Sequence, residues 1–353
     1  MTDGEVIVVG GYGVFGRLVA EDLARRGHRL VIAGRRRDQA ERQARALGDR
    51  CRAMEADVTD ADACRALVRD AQVVASCAGP FSALGTTLVE ACADAGCHYA
   101  DIADDRAFVR QVRALGSRFA DRGRVAAFGC SSLPAVSGAL AFGLRTEHGP
   151  AARARMTLFI GNDNPKGEAA VRSAVSLLGR PIETPQGTVL GFRDGEVVEL
   201  PPPFGRRRVY NFETADLDVL PAVLGASALS VKVGFEMRVA TAGFAMLAVL
   251  GSRWSDRTAR WATRLGALGR GIGCSGGVTM AELWRQDGTR VWAAISSASG
   301  GQRMAALPCA YVVDALVRGT ALPVSGARAA YEVIEPEALL AGLVADGFTL
   351  SMG

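Results

Sequence analysis

Short apolar runs alternate with longer amphipathic stretches through the first 130 residues of the chain. Runs rich in β-branched and small apolar residues predict strands at 5–9, 29–33, 51–56, 72–77, 98–102 and 124–128. The stretches between them predict helices at 17–26, 36–47, 61–68, 85–95 and 107–122. This rhythm is typical of a doubly wound α/β fold with a parallel sheet, in which ligands bind at the carboxyl ends of the strands.

The pattern changes after Gly129, where longer alternating stretches are joined by turns rich in glycine and proline. Strands are predicted at 156–161, 188–193, 196–200, 231–238, 277–285 and 290–297, with a hairpin turn at Asp287-Gly288 between the last two. Helices are predicted at 168–178, 252–268, 304–317 and 335–345. The mixture predicts an α+β domain built on a mostly antiparallel sheet.

The first strand leads directly into a glycine-rich turn, since Glu5–Gly16 reads EVIVVGGYGVFG and a helix follows. The glycines have the spacing G-x-G-x-x-G, in which the first permits the turn, the second admits the phosphates and the third allows close helix packing. The free N–H groups at the start of the helix then face the anion. We therefore expect dinucleotide binding by Gly11, Tyr12, Gly13, Val14, Phe15 and Gly16.

The second strand ends in Ala33-Gly34-Arg35-Arg36-Arg37. A site specific for NAD usually places an acidic residue at the end of this strand to bond the ribose 2′-hydroxyl. Three arginines stand here instead, and a guanidinium pairs well with a 2′-phosphate. The sequence therefore favours NADP, with Arg35 as the first candidate and Arg36 as the second. The alternative is a solvated helix start in an arginine-rich chain.

Two further strand ends supply candidate cofactor contacts. Asp57 follows the third strand, where it either reaches the adenine edge or caps the next helix. The segment Ala78, Gly79 and Pro80 closes the fourth strand, and its small residues leave room for the nicotinamide half of the cofactor. A plain tight turn is the competing interpretation.

These motifs together resemble the saccharopine dehydrogenase-like NAD(P)-dependent oxidoreductases. The resemblance rests on GGYGVFG, the GR after the second strand, CAGPF, HYADIADD, GCSSLPAVSG and ALPCAYVVDAL…GARAAYEVIEPEALL. It covers the first 140 residues clearly, the last fifty moderately and the middle only in general pattern. It implies a Rossmann domain at 1–130, an α+β substrate and dimerisation domain at 131–301, and helices within 302–353 that return to the Rossmann domain.

The resemblance also implies hydride transfer linked to the nicotinamide. Tyr99 and Asp101 match the family residues at the junction of cofactor and substrate, and Lys166 stands in a polar turn where it would bind a substrate carboxylate. The alternatives are a cap or turn role for Asp101 and a plain helix start at Lys166. His98 alternates with Tyr99, so only one of them faces the cleft. Cys130 has no evident histidine partner and is not expected to be a nucleophile.

Composition narrows the functional classes. The net charge of +4 comes almost entirely from arginine, and no basic stripe is interleaved with aromatics, so we expect no nucleic-acid partner. The eight cysteines lack a C-x-x-C pair, which favours reduced thiols in a cytoplasmic protein. No metal-spacing motif, signal peptide or apolar run of about 20 residues is present, so we expect no metal and no integral membrane segment.

The apolar stretch 217–250, followed by Trp254 and Trp261, predicts either a core with a dimer face or a hydrophobic substrate channel. We expect an NADP-dependent oxidoreductase, a homodimer, that moves hydride between the nicotinamide and a C=N or C=O carbon of a small molecule. A channel would instead favour an enoyl reductase acting on a lipid or polyketide. A non-catalytic dinucleotide-binding sensor or scaffold is the third hypothesis.

Overall fold

The computed structural model describes residues 4–165, 171, 174–249 and 273–353. The chain divides into two compact units, the first at 1–135 and 305–335 and the second at 136–304 and 336–353. The predicted helix at 252–268, part of that at 168–178, and the residues Trp254, Trp261 and Lys166 lie outside the described residues.

The strands are β1 Glu5–Val9, β2 Leu30–Gly34, β3 Cys51–Glu55, β4 Ala71–Ser76, β5 His98–Asp101, β6 Val125–Phe128, β7 Arg153–Ile160, β8 Pro181–Thr184, β9 Gly187–Leu190, β10 Glu196–Leu200, β11 Gly205–Asn211, β12 Ala228–Phe235, β13 Gly277–Trp284, β14 Arg290–Ser297, β15 Gly326–Ala329 and β16 Thr349–Met352. The helices are α1 Val14–Arg25, α2 Arg37–Leu47, α3 Ala61–Val68, α4 Thr87–Ala95, α5 Arg106–Ala114, α6 Gly116–Ala120, α7 Ser137–His148, α8 Asp216–Leu224, α9 Arg238–Val249, α10 Arg303–Arg318, α11 Ala330–Val333 and α12 Pro336–Ala345.

The first unit is built on a parallel sheet whose described strands run in the order β15-β6-β5-β4-β1-β2-β3. β1, β2 and β4 are interior strands of this sheet and are almost wholly apolar, as expected of strands covered by helices on both faces. The order reverses at β1, so the carboxyl ends of β1 and β4 flank the crevice in which such sheets bind ligands. The predicted doubly wound sheet is confirmed.

The helix predicted at 107–122 is interrupted in the structure, because α5 ends at Ala114 and α6 begins at Gly116. A Cβ at Gly116 would lie 3.1 Å from the backbone nitrogen of Ala327 in β15. The close approach of α6 to this edge strand accounts for the glycine at the break.

The second unit is built on a mixed sheet whose described strands run in the order β10-β11-β12-β7-β13-β14-β16. Only β7 and β12 pair in parallel among them, and the other neighbours are antiparallel, which confirms the mostly antiparallel sheet. The predicted hairpin between β13 and β14 is present, with Asp287 accepting a hydrogen bond from the Thr289 N–H and Gly288 at φ +85°.

The segment 336–353 lies in the second unit, whereas the sequence-based boundaries assign it to the first. Two contacts explain its position: α12 packs on α7, and β16 pairs with β14 so that Met352 lies opposite Ala293. Of the C-terminal segment 302–353, only 305–335 belongs to the parallel-sheet unit, and it carries most of α10 together with β15 and α11.

The apolar stretch 217–250 forms α8, β12 and α9 in its described part. Leu220, Leu229 and Val233 are buried, and Val233 belongs to a core cluster that includes Phe192. These residues support the core interpretation of the stretch. Within the described ranges, no helix has both the length and the apolar character needed to cross a membrane.

Candidate cofactor site and strand-end cluster

The turn between β1 and α1 is closed by backbone contacts that leave no room for side chains. Gly10 adopts φ +72°, and its carbonyl oxygen accepts a hydrogen bond of 2.8 Å from the Gly13 N–H. A Cβ at Gly16 would collide with that same carbonyl, and one at Gly11 would lie 3.0 Å from the Val8 carbonyl oxygen. The glycine spacing therefore reflects close packing of α1 against the end of β1, as a dinucleotide turn requires.

The start of α1 offers backbone donors. The first helical hydrogen bond runs from the Arg17 N–H to the Gly13 carbonyl, so the N–H groups of Val14, Phe15 and Gly16 have no acceptor within the helix. No acidic side chain stands in the first turn of α1, and Gly13 supplies no side-chain cap. Donors without a competing carboxylate at the positive end of a helix fit a diphosphate.

The turn after β4 lies directly beside the glycine turn. A Cβ at Gly10 would lie 2.9 Å from the Ala78 backbone nitrogen, and the Cys77 N–H donates to the Val9 carbonyl at 2.8 Å. Pro80, which follows a cis peptide bond, precedes Phe81, whose ring packs 5.1 Å from that of Phe108. The structure thus brings together two of the predicted cofactor segments, 11–16 and 78–80.

The three arginines after β2 have different surroundings, although all are exposed. Arg37 is paired with Glu41 at 2.8 Å. The Arg36 N–H donates to the Tyr12 hydroxyl at 3.2 Å, and its guanidinium lies 5.4 Å from the centre of the Tyr12 ring. Among the described residues, Arg35 has no carboxylate within ion-pair distance, which leaves its guanidinium available for a phosphate.

Asp57 is not the cap of the helix that follows it, so that alternative is wrong. Asp60 caps α3 by accepting from the N–H groups of Asp62 and Ala63, at 2.8 and 3.1 Å. Asp57 instead accepts from the N–H and hydroxyl of Thr59, and these bonds, with a smaller contribution from Arg35, lower the pKa of its carboxyl. Asp60 is the cap because it is the residue immediately before α3, from which its carboxylate reaches the N–H groups of the first turn. The contact of Asp57 with adenine stays a prediction.

Asp101 and Tyr99, at the end of β5, are both fully buried. Asp101 Oδ1 accepts hydrogen bonds from the Ala103 N–H at 3.0 Å and the Gly129 N–H at 2.8 Å, which ties the end of β5 to the end of β6. Asp101 Oδ2 is buried and has no hydrogen-bond partner in the described part of the chain. Burial raises the pKa of this carboxyl to about 7, against the opposing effect of the two backbone donors.

Tyr99 shares the strand face of Asp101. Burial, followed by the nearby charge of Asp101, raises the pKa of the Tyr99 phenol well above its ordinary value. His98 points to the other face. Its Nδ1 accepts from the Val125 N–H at 3.1 Å, and burial followed by the charge of Arg124 lowers its pKa to about 4. His98 is therefore a neutral structural side chain near pH 7.

Cys130 lies next to this cluster and is buried. Burial, followed by the charge of Asp101, raises the pKa of the Cys130 thiol well above its ordinary value, so the thiol stays protonated. This supports the expectation that Cys130 is not a nucleophile. Nowhere among the described residues do three or more His, Cys, Asp or Glu side chains gather in a way that would hold a metal ion.

The polar turn that precedes Lys166 lies in the second unit, and Lys166 itself lies outside the described residues. Asn164 donates to the carbonyls of Gly161 and Gly276 at 3.0 and 2.8 Å. Glu236, at the end of β12, accepts from the N–H groups of Asn162 and Cys274, each at 2.8 Å. Sequence reasoning did not single out Glu236, because it falls inside the strand predicted at 231–238.

The model of the family described as saccharopine dehydrogenase NADP binding domain matches residues 6–127. A trans-acting enoyl reductase of Mycobacterium tuberculosis (strain ATCC 25618 / H37Rv) is 32% identical over 138 residues, which are 37% of this chain and 33% of that protein. A saccharopine dehydrogenase-like oxidoreductase of Arabidopsis thaliana is 37% identical over 90 residues, 25% of this chain and 20% of that protein. The chain thus spans a third or less of the length of these relatives.

Among solved structures, the fold is similar to that of saccharopine dehydrogenase (L-Glu forming) from Saccharomyces cerevisiae. The TM-score is 0.66 at 13% sequence identity, and the match covers 99% of this chain and 100% of that chain. The predicted resemblance is therefore confirmed, by the family model in the first domain and by the fold over both units. The family match also confirms NADP as the cofactor type.

Proposed function

We propose that this chain, whose N-terminal domain belongs to the saccharopine dehydrogenase NADP binding domain family, is an NADP-dependent oxidoreductase acting on a small molecule. The observation that carries the proposal is the glycine turn between β1 and α1, which lies in the part of the chain that the family model matches. The N–H groups at the start of α1 have no acceptor within the helix, and the nearby end of β2 is followed by arginines and not by a carboxylate. Bound NADP would supply the hydride donor or acceptor at its nicotinamide ring.

The chain's own residues would hold the cofactor at three places. The N–H groups of 14–16 would bind the diphosphate, and Arg35 would pair with the 2′-phosphate. The turn at 78–80 would lie against the nicotinamide half, since it sits beside the glycine turn at the carboxyl edge of the sheet. The fit rests on the start of α1, which offers three N–H groups without a helical acceptor and has no acidic side chain in its first turn.

Arg35→Gln tests the cofactor assignment. Loss of one charge-assisted contact to phosphate is expected to raise the Kd of NADPH by about tenfold or more and to leave that of NADH within about twofold. Titration followed by nicotinamide fluorescence measures both constants. The matched control is Arg37→Gln, because Arg37 is already paired with Glu41. Tighter binding of NADH than of NADPH to the unmodified protein would contradict the assignment.

Tyr99 and Asp101 are proposed to act at the reacting end of the site, with Asp101 as a positioning residue. Its carboxyl holds the Gly129 turn through a backbone hydrogen bond, and neither side chain is exposed in the first unit. A positioning role predicts that Asp101→Asn, which keeps Oδ1, retains most of kcat, whereas Asp101→Ala loses it. Equal losses in both variants would favour a direct role of the carboxylate.

The reaction class is proposed as hydride transfer to a C=N or C=O carbon. A second candidate, reduction of an enoyl group, is supported by the relatives named as trans-acting enoyl reductases. Oxidation of NADPH in the presence of imines, ketones and enoyl thioesters separates the two. Tight binding of NADPH without turnover of any of them would favour the non-catalytic sensor.

The homodimeric state and the cytoplasmic location are further proposals drawn from the sequence. Light scattering coupled to size-exclusion chromatography measures the first, with a mass of about twice 37.0 kDa expected. A monomer under the conditions of turnover would contradict it. Fractionation of the cells that express the protein measures the second.

A further inference from the structure

The side chain of Tyr12 lies directly against Gly34 in the first unit. A Cβ at Gly34, the last residue of β2, would lie 2.5 Å from the Tyr12 hydroxyl oxygen and 2.8 Å from Cε1 of the Tyr12 ring. The Tyr12 ring therefore covers the end of β2, where NAD-binding folds commonly place an acidic residue for the ribose. With the ring in this position, residue 34 has space for glycine alone.

The Tyr12 hydroxyl also holds the beginning of α2. Arg36 is the N-cap residue of that helix and provides no side-chain cap, and its own N–H donates to the Tyr12 hydroxyl at 3.2 Å. The Arg36 guanidinium lies over the same ring, 5.4 Å from its centre, within the range of a cation–π contact. One side chain thus contacts both the end of β2 and the start of α2.

Arg35 stands between these two fixed points. On one side, the Gly34 carbonyl accepts from the Ala56 N–H at 3.1 Å, which holds the end of β2 to the segment after β3. On the other side, the Arg36 backbone is held by Tyr12. The backbone that carries the Arg35 guanidinium is therefore ordered before any ligand arrives, and such preorganisation lowers the entropic cost of binding.

We propose that Tyr12 is a specificity-determining residue for the 2′-phosphate of the cofactor. It acts by closing the end of β2 to an acidic side chain and by positioning the backbone of Arg35. The inference rests on the proposed NADP site. It adds that selection of the 2′-phosphate depends on Tyr12 as well as on the arginines after β2. The ligand it favours is an adenosine that carries a 2′-phosphate.

Tyr12→Phe isolates the contribution of the hydroxyl, because it keeps the ring over Gly34. The probes are adenosine 2′,5′-bisphosphate and adenosine 5′-monophosphate, titrated by calorimetry, which reports binding without turnover. Loss of one hydrogen bond predicts that the Kd of the bisphosphate rises about three- to tenfold, while that of the monophosphate changes less than twofold. Tyr210→Phe, in the second unit, is the matched control and is expected to change neither Kd.

Gly34→Ala supplies an independent test, since the added methyl displaces the Tyr12 ring. It is expected to reproduce the selective loss, and Tyr12→Phe is expected to add less than twofold in the Gly34→Ala background. Circular dichroism of each variant shows whether it is folded. Equal weakening of both probes by Tyr12→Phe, or no weakening of either, would overturn the inference.

The proposed function can fail separately from this inference. If Arg35→Gln leaves the Kd of the bisphosphate unchanged, the 2′-phosphate assignment is wrong and the preference attributed to Tyr12 is wrong with it. If Arg35→Gln weakens the bisphosphate selectively and Tyr12→Phe does not, the NADP site stands and only the role of Tyr12 is rejected.

Discussion

The buried carboxyl of Asp101 predicts that the protein becomes less stable as the pH rises through neutrality. Its pKa is about 7 in the fold, against a reference value of 3.8. Between these values the native state holds a proton that the unfolded state has lost, so the contribution of Asp101 to stability is largest at low pH and declines as the pH rises. At about 1.36 kcal/mol per pKa unit, the full difference is about 4 kcal/mol.

About 2–3 kcal/mol of that difference falls between pH 5 and pH 8, because the native carboxyl is still mostly protonated at pH 5. Asp101→Asn removes the titration while keeping an Oδ1 acceptor for the Ala103 and Gly129 N–H groups. Its amide nitrogen takes the place of Oδ2, which lacks a partner in the described residues, and this costs about 1–3 kcal/mol at every pH. The stability of the variant relative to wild type is therefore expected to rise by about 2–3 kcal/mol from pH 5 to pH 8.

Urea unfolding followed by far-UV circular dichroism at pH 5, 6, 7 and 8 measures the change in relative stability. Asp121→Asn, which alters an exposed carboxylate of the same unit, is the control and is expected to run parallel to wild type. Carbon-13 NMR of the Asp101 carboxyl gives its pKa directly. Parallel stability curves for wild type and Asp101→Asn would refute the reasoning, because they would mean that Asp101 ionises near its ordinary pKa in the native state.

Two further predictions concern packing in each unit. Gly16→Ala places a methyl against the Gly10 carbonyl and should abolish NADPH binding in fluorescence titrations. Gly143→Ala, in α7 with open space around it, should leave the free energy of unfolding unchanged or raise it by up to about 1 kcal/mol. Glu282→Gln breaks the ion pair between the fully buried Glu282 carboxylate and Arg155, whose side chain is 13% exposed, and should cost about 3 kcal/mol in urea unfolding followed by tryptophan fluorescence. Glu199→Gln, which alters an exposed carboxylate, should cost under about 0.5 kcal/mol, and equal effects of the last two changes would contradict the argument.

Much of the first unit could be predicted from sequence because its signals are local. Each parallel strand is a continuous apolar run, and the helix that must cross back to the next strand follows it directly. The glycine turn is local in the same sense, since Gly10, Gly13 and Gly16 contact one another within seven residues. The domain boundaries were harder to place, because the pairing of β16 with β14 joins segments far apart in the chain.

The second unit shows where a local pattern fails. β11 has the sequence GRRRVYN, whose three arginines do not suggest a buried sheet, and it was not predicted. It is a strand because Tyr210 and Asn211 pair with Val233 and Lys232 of β12, while Glu196 to Leu200 pair along its other edge. α8 was missed for a similar reason, since Pro221 lies inside it and argues against a helix. In both cases tertiary contacts outweigh intrinsic preference.

Asp101 shows why a candidate catalytic residue cannot be assigned from a strand end alone. An acid at the carboxyl end of a parallel strand has the same sequence signal whether it meets a ligand or holds a neighbouring turn. What separates the two roles is the partner, and here one partner is the N–H of Gly129, a residue that adopts φ +64°. That conformation, and the position of the Pro134 ring, with which a Cβ at Gly129 would collide, depend on the segment after β6. The positioning role proposed for Asp101 therefore depends on a segment some thirty residues away from it, whose path no pattern around Asp101 encodes.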